Sequence, residues 1–195
     1  MKKLSTMFLI LAIVFVWGCS GTDSESIAQD SKEKKVEKAH EEVVWTTFDE
    51  GLAKGVKENK NIIVDFYTDW CHWCKVMDEK TFGEKKVAAK LKERFATVRL
   101  NAESNSEFAN YKGKKYSNME LTRAFQVTGF PSLAFLSPEK EIITVIPGYV
   151  PADQFYHILD FIDKECYKKK MTLEEFIKKK GECEESKKEE SKNEK

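Results

Sequence analysis

The sequence predicts one α/β domain in which a central mixed β-sheet is flanked by helices on both faces. Residues 62–67 are apolar except for Asp65, as is typical of a central strand that is covered on both sides. Segments with apolar residues at helical spacing alternate with such runs. Two later runs, 132–136 and 142–146, flank a Pro-Glu-Lys turn, which indicates a hairpin. Crossover helices and a hairpin together predict a mixed sheet.

The first half of the domain is predicted to alternate strands with helices. Phe48, Leu52 and Val56 recur at helical spacing and give one apolar face. A second helical pattern, in residues 76–91, is interrupted near 81–83. In chain order we expect a strand at 43–45, a helix ending around 58–59, a strand at 62–67, one long helix or two broken near 81–83, and a strand at 95–100.

The second half is predicted to end in a hairpin and a helix. Residues 103–118 are polar and contain several lysines, so we expect a loop or a surface insertion there. After it we expect a helix carrying Leu121, Phe125 and Val127, a turn at 128–131, strands at 132–136 and 142–146, and a helix with Phe155, Ile158, Leu159 and Ile162 that runs to Cys166.

The amino-terminal residues are predicted to be a targeting segment. Residues 1–18 begin with two lysines and continue as an apolar stretch that is too short for a comfortable membrane span, as in a secretory signal peptide. The segment ends in Gly18-Cys19, which resembles the lipobox of bacterial lipoproteins. We therefore expect lipidation of Cys19 and anchoring to a membrane of the bacterial cell envelope, in the periplasm or at the cell surface. The alternative is a soluble secreted protein without modified Cys19.

The polar segments on either side define the expected domain boundaries. Residues 19–42 have almost no large apolar side chains and are predicted to be a flexible tether. The folded domain then spans 43–167. Residues 168–195 are predicted to be a carboxy-terminal helix and a disordered tail of lysine, glutamate and serine. The 33 basic residues equal the 33 acidic residues and form no basic stripe, which argues against nucleic-acid binding.

Chemistry is concentrated in Cys71-His72-Trp73-Cys74, which directly follows a predicted strand and begins a predicted helix. Unpaired N–H groups at a helix start favour a thiolate on the first cysteine, and the second thiol can resolve a mixed disulfide. A zinc site is the main alternative, but zinc needs four ligands and Cys166 and Cys183 are not spaced as a knuckle. We expect a redox pair, no metal and no organic cofactor.

Neighbouring residues are candidates for tuning this pair. Asp65 lies in the middle of a buried strand, so its pKa should be raised unless the carboxylate reaches water. A cationic or hydrogen-bonding His72 would stabilise the Cys71 thiolate and make the disulfide more oxidising. Trp70 and Trp73 either present an apolar docking surface or pack into the core.

Several spaced motifs together resemble the thioredoxin-fold thiol–disulfide oxidoreductases of the bacterial envelope, in particular the carboxy-terminal domain of the thiol:disulfide interchange protein DsbD. The resemblance covers about residues 45–162. The matching motifs are Val64-Asp65-Phe66-Tyr67, Asp69-Trp70-Cys71, Cys74-Lys75, Thr81-Phe82, Val127, Gly129-Phe130-Pro131-Ser132 and Gly148-Tyr149.

This resemblance implies a thioredoxin fold and a role for each site residue. Cys71 would be the nucleophile and Cys74 the more buried resolving thiol, while Asp65 would handle the proton of Cys74. The resemblance also implies a cis Phe130–Pro131 bond, which would leave the Phe130 backbone free to pair with an extended client chain.

The expected function is reduction of disulfides in client proteins, with electrons from a further redox partner protein. An oxidase or isomerase is an alternative, because His-Trp is not the usual dipeptide between the cysteines of DsbD. A non-catalytic adaptor that binds clients in the Phe130–Pro131 groove is another. Cys166 and Cys183 are expected to form a structural disulfide in an oxidising compartment, unless they remain free or link two molecules.

Overall fold

The computed structural model describes residues 42–183 and has the α/β architecture that the sequence predicts. Its helices are α1 (Phe48–Glu58), α2 (His72–Met77), α3 (Lys85–Arg94), α4 (Asn118–Ala124), α5 (Ala152–Asp163) and α6 (Leu173–Lys178). Its strands are β1 (Asn61–Tyr67), β2 (Phe95–Asn101), β3 (Phe108–Tyr111), β4 (Lys114–Ser117), β5 (Ser132–Leu136) and β6 (Ile142–Pro147). A π-helical turn at Asp78–Phe82 and a 3₁₀ turn at Cys166–Lys169 complete the list.

The main sheet has four strands in the order β2-β1-β5-β6. Strand β1 is parallel to β2 and antiparallel to β5, which is antiparallel to β6, so the sheet is mixed as predicted. Phe66 pairs with Ser132, and therefore the carboxyl end of β1 lies beside the amino end of β5. Residues that follow β1 and residues that precede β5 are thereby brought to the same edge of the sheet.

Two apolar clusters cover the two faces of the sheet. Ile62, Val64 and Phe66 of β1 belong to one cluster, whereas Ile63 belongs to the other together with Met77 of α2. Because side chains alternate along a strand, Asp65 points to the face that carries Ile63. The carboxylate is therefore placed on the side of the sheet that α2 covers.

The strand predicted at 43–45 is wrong, since those residues form no strand. Only Thr46 makes an isolated bridge, with Val98 of β2. Thr47 is already the N-cap of α1, and its hydroxyl and the Glu50 carboxylate form a reciprocal capping box. Because the capping box starts α1 directly after Thr46, Thr46 is the residue that pairs with β2, an outer strand of the sheet.

Of the loop or surface insertion predicted at 103–118, the irregular loop is wrong, because β3 and β4 form a hairpin there, outside the four-stranded sheet. Lys112 and Gly113 at its tip both have positive φ, at 49° and 79°, as a tight two-residue turn requires. The hairpin is anchored by Tyr111, whose ring packs against Phe48 and Phe125. The alternation that gives the hairpin its buried side was hidden in the sequence, because exposed Phe108 is apolar and the lysines around the turn are charged.

The expected interruption of the helix after the cysteines is confirmed. The π-helical turn ends at Phe82, and α3 starts at Lys85. Thr81 is fully buried and donates its hydroxyl hydrogen bond to the Val150 carbonyl at 2.6 Å. This hydrogen bond links the interrupted part of the helix to the loop before α5.

At the carboxy-terminal end, Cys166 and Cys183 are joined as a disulfide across a separation of 17 residues. Cys166 is buried with Met171 and Phe176 in a small apolar cluster. Within residues 42–183 no helix has the length and apolar character needed to cross a membrane. The predicted signal peptide, Cys19, most of the tether and the end of the tail lie outside the described residues.

Candidate active site

Cys71 and Cys74 form a disulfide at the start of α2, with their Cα atoms 5.3 Å apart. Cys71 is the N-cap residue of this helix, and its backbone N–H donates to the Thr68 carbonyl at 3.2 Å. The backbone N–H of Cys74 donates to the Cys71 sulfur at 3.0 Å. A hydrogen bond to the charged form of a thiol favours that form, so this geometry favours negative charge on Cys71 in the reduced protein.

Burial does not distinguish the two sulfurs as the sequence predicted. Cys71 is 3% exposed and Cys74 is 5% exposed, so the expectation that Cys74 is the more buried cysteine is not met in the disulfide form. Two atoms joined by one bond share the same small patch of surface. The difference between the cysteines lies instead in the N–H group that is directed at Cys71.

Asp65 is buried, with only 1% of the residue exposed, so its carboxylate does not reach the surface. Its Oδ2 accepts hydrogen bonds from Arg99 Nε at 2.9 Å and Nη2 at 2.8 Å, whereas its buried Oδ1 has no hydrogen-bond partner in the described part of the chain. Burial raises the pKa of Asp65 to about 6, although the Arg99 charge opposes this rise. The raised pKa expected from the sequence is confirmed.

Asp65 and the second cysteine lie on the same side of the sheet. Cys74 and Met77 are the two buried residues of α2 and are three positions apart, so they share the inner face of the helix. Met77 packs on the sheet face of Ile63, to which Asp65 also points. The buried face of α2 that carries Cys74 therefore covers the side of the sheet that carries the Asp65 carboxylate.

Arg99, the cation that pairs with Asp65, was not among the site residues predicted from the sequence. Arg99 is directly opposite Asp65 in the parallel register of β1 and β2. Its Nη2 also donates a hydrogen bond to Asp78 in the π-helical turn. The available signal was a single arginine in an otherwise apolar or neutral strand at the same offset as the aspartate in β1.

Exposed aromatic side chains flank the disulfide. Trp70 is 67% exposed and Trp73 is 55% exposed, so the alternative that they pack into the core is wrong. Trp70 Nε1 donates to Glu103 at 2.8 Å, and its ring lies edge-on to Phe130 with centroids 6.2 Å apart. On the other side, the Trp73 ring contacts Tyr149 at 5.4 Å, and the exposed His72 ring lies 5.8 Å from Trp73.

The Phe130–Pro131 peptide bond is cis, as expected from the family resemblance. Pro131 directly precedes β5, whose Ser132 pairs with Phe66 near the end of β1. The Pro131 carbonyl accepts a hydrogen bond from the Gly148 N–H at 2.8 Å. The cis bond is therefore held at the sheet edge from which the chain runs from β1 to Cys71.

Comparison with known proteins agrees with this geometry. A family model described as a thioredoxin-like domain matches residues 48–163. The thiol:disulfide interchange protein DsbD of Actinobacillus pleuropneumoniae is 29% identical over 105 residues, which is 53% of this chain but 16% of that protein. The chain thus matches only a small part of the length of this relative.

Two solved structures share the fold. A thioredoxin-fold protein from Helicobacter pylori aligns with a TM-score of 0.53 and 24% identity, covering 63% of this chain and 80% of the other. A DsbH oxidoreductase aligns with a TM-score of 0.53 and 19% identity, covering 73% of this chain and 95% of the other. At these identities the two alignments bear on the fold alone.

The burial of Asp65 predicts a stability that depends on pH. Because the pKa of Asp65 rises from 3.8 to about 6 on folding, the folded protein holds a proton that the unfolded chain releases between these values. Its contribution to stability is therefore lost as pH rises through this window. We expect Asp65→Asn, which cannot ionise, to be about 3 kcal/mol more stable than wild type at pH 8.

This gain should vanish near pH 3.5, where the carboxyl group is protonated in both states. Urea unfolding of both proteins at pH 3.5 and pH 8, with the disulfides intact, measures the difference. A variant that is equally stable or less stable than wild type at pH 8 would show that the Asp65 carboxylate is not destabilised by burial.

Proposed function

This chain belongs to the thioredoxin-like domain family, and from that premise we propose that it is a thiol–disulfide oxidoreductase that reduces disulfides in client proteins. The observation that carries the proposal is the Cys71–Cys74 pair at the amino end of α2, with the buried Asp65 carboxylate on the side of the sheet that α2 covers. The cysteine pair supplies the sulfur chemistry of dithiol exchange, and a buried acid of raised pKa supplies a proton acceptor.

The proposed reaction begins with the reduced protein. The Cys71 thiolate attacks one sulfur of the client disulfide, the client S–S bond breaks, and the other client sulfur leaves as a thiolate. The Cys74 thiol passes its proton to Asp65 and attacks Cys71. The client sulfur that was bonded to Cys71 then leaves with its electron pair. The client has thereby gained two electrons, and the protein is left with the Cys71–Cys74 disulfide. A dithiol of a redox partner protein restores the reduced form.

Three features of the site support these roles. The Cys74 N–H at 3.0 Å from the Cys71 sulfur stabilises a thiolate there, which favours Cys71 as the nucleophile. The Asp65 pKa of about 6 allows the carboxylate to accept a proton at neutral pH. The cis Phe130–Pro131 edge offers backbone groups to an extended client chain.

The rings around the pair provide the proposed docking surface. Exposed Trp70 contacts half-buried Phe130, and exposed Trp73 contacts half-buried Tyr149. Aromatic residues contribute strongly to binding where they are exposed and then covered by a partner. His72, between the cysteines, is exposed and is the residue we expect to tune the redox potential.

Turnover of a protein disulfide tests the proposed activity. The full chain in detergent should reduce insulin with dithiothreitol as electron source, and Cys71→Ser/Cys74→Ser should lose at least about a hundredfold of the rate, because neither sulfur of the exchanging pair remains. Cys166→Ser/Cys183→Ser is the matched control and should retain turnover, since it removes the other cysteine pair. Equal rates for wild type and the Cys71/Cys74 variant would instead favour a client-binding adaptor.

A trapping experiment tests the roles assigned to the two cysteines. A Cys74→Ala variant cannot resolve the mixed disulfide, so it should hold clients covalently on Cys71 in intact cells. Identification of these clients as oxidised or reduced species would distinguish a reductase from an oxidase or isomerase. Capture by Cys74 in a Cys71→Ala variant, with none by Cys71, would contradict the proposed nucleophile.

We also propose that the mature protein is anchored in the bacterial envelope through lipidated Cys19, with residues 19–42 as its tether. The support is the short apolar leader and the Gly18-Cys19 cleavage motif. Several acyl chains would hold the domain far more firmly than one. The full chain should label with radioactive palmitate in a bacterial host, and Cys19→Ala should abolish the label. Equal labelling of the two proteins would exclude Cys19 as the acceptor.

A further inference from the structure

The guanidinium of Arg99 has four partners that meet it from three segments of the chain. It donates hydrogen bonds to the carboxylates of Asp65 and Asp78. Two aromatic rings also lie against it, that of Trp45 with its centroid 4.7 Å away and that of Tyr67 at 5.3 Å. An arginine has a long flexible stem, and a stacked ring restricts the plane in which its N–H groups point.

Trp45 reaches Arg99 from the segment that precedes α1. Its neighbour Thr46 is fixed to β2 by two backbone hydrogen bonds, from Thr46 N–H to the Thr97 carbonyl at 3.0 Å and from Arg99 N–H to the Thr46 carbonyl at 3.1 Å. The Trp45 ring also packs edge-on against Phe82 at 5.0 Å. These contacts place the indole over the guanidinium although Trp45 is in no strand.

Beside this stack is a surface cavity of about 550 Å³ that contains other acceptors for Arg99. Trp45, Arg99 and Asp78 line it together with the exposed carboxylates of Glu42 and Glu79. The Arg99 side chain is 24% exposed. Without its stacking partner, the guanidinium would have room to turn away from Asp65 into this cavity. The carboxylates of Glu42 and Glu79 could then accept its hydrogen bonds.

We infer that Trp45 is a positioning residue for the proposed exchange reaction: its ring holds the Arg99 guanidinium in the orientation that bridges Asp65 and Asp78. This inference rests on the proposed function, because it assigns Trp45 to the proton-transfer step. Trp45 acts through Arg99 and does not itself touch the sulfur atoms in this role. The segment leading into the domain thereby becomes part of its active site.

The consequence follows from the charges around Asp65. Arg99 is the cation that faces this carboxylate from β2, and the Asp78 charge in the π-helical turn acts on it in the opposite direction. From α2, buried Cys74 lies on the same side of the sheet. If Arg99 turns towards the cavity, the buried Asp65 carboxylate loses its compensating charge, and its pKa rises further. Proton transfer from Cys74 then requires a higher pH.

Carbon-13 NMR of the Asp65 carboxyl group in the reduced full chain tests this directly. Trp45→Leu keeps apolar bulk but removes the π face, and should move the Asp65 titration midpoint upward by about 0.5 to 1 pH unit. Trp45→Phe restores a ring and should bring the midpoint back towards the wild-type value. The acidic limb of the pH profile for reduction of a peptide disulfide should shift in the same direction as the midpoint.

Two controls separate positioning from packing. Phe82→Leu removes the other ring that touches Trp45 and should lower the melting temperature without moving the Asp65 midpoint. In an Arg99→Gln background, Trp45→Leu should cause no further shift. An unchanged midpoint in Trp45→Leu, an equal shift in Phe82→Leu, or a full further shift in the Arg99→Gln background would each overturn the inference. The NMR readout judges Trp45 even if the wild-type chain reduces no peptide, a result that would overturn the proposed function instead.

Discussion

A buried carboxylate paired with a single arginine is the constraint on which the rest of this site depends. Asp65 is almost fully enclosed, and an isolated charge at such a position would be strongly disfavoured. The parallel register of β1 and β2 supplies Arg99 directly opposite, so the charge is compensated within the sheet itself. The remaining excess cost of ionisation keeps the pKa near neutrality, where a proton acceptor is most useful.

The order of the strands brings the other parts of the site to this carboxylate. Because β1 is central and antiparallel to β5, its carboxyl end meets the cis Phe130–Pro131 bond. The chain leaving β1 turns at once into α2, which places Cys71 at the helix start and buried Cys74 on the side of the sheet that carries Asp65. Asp78 in the π-helical turn pairs with Arg99. The cysteine pair, the buried carboxylate and the cis bond are thus all close to β1.

Much of this arrangement was predictable because its signals are local. The apolar run of β1, the cysteine spacing and the hairpin turn between β5 and β6 each lie within a few neighbouring residues. The cis bond was predictable only by resemblance, since a proline alone favours the trans isomer. The missed features are of a different kind. Arg99 acquires its role from strand register, and the β3–β4 hairpin from the burial of Tyr111 against two distant phenylalanines. The short strand predicted at 43–45 does not form, and the N-cap of α1 follows soon after, at Thr47.

The equilibrium between the Cys71–Cys74 disulfide and its dithiol, measured in redox buffers by alkylation and intact mass, tests whether this pair is a reducing exchange centre. We expect one reversible two-electron transition confined to this pair, at a potential close to the value of about −270 mV that is characteristic of reducing thioredoxins. A pair that does not exchange with the buffer, or a transition near the value of about −120 mV that is typical of a strong oxidant, would show that it is not.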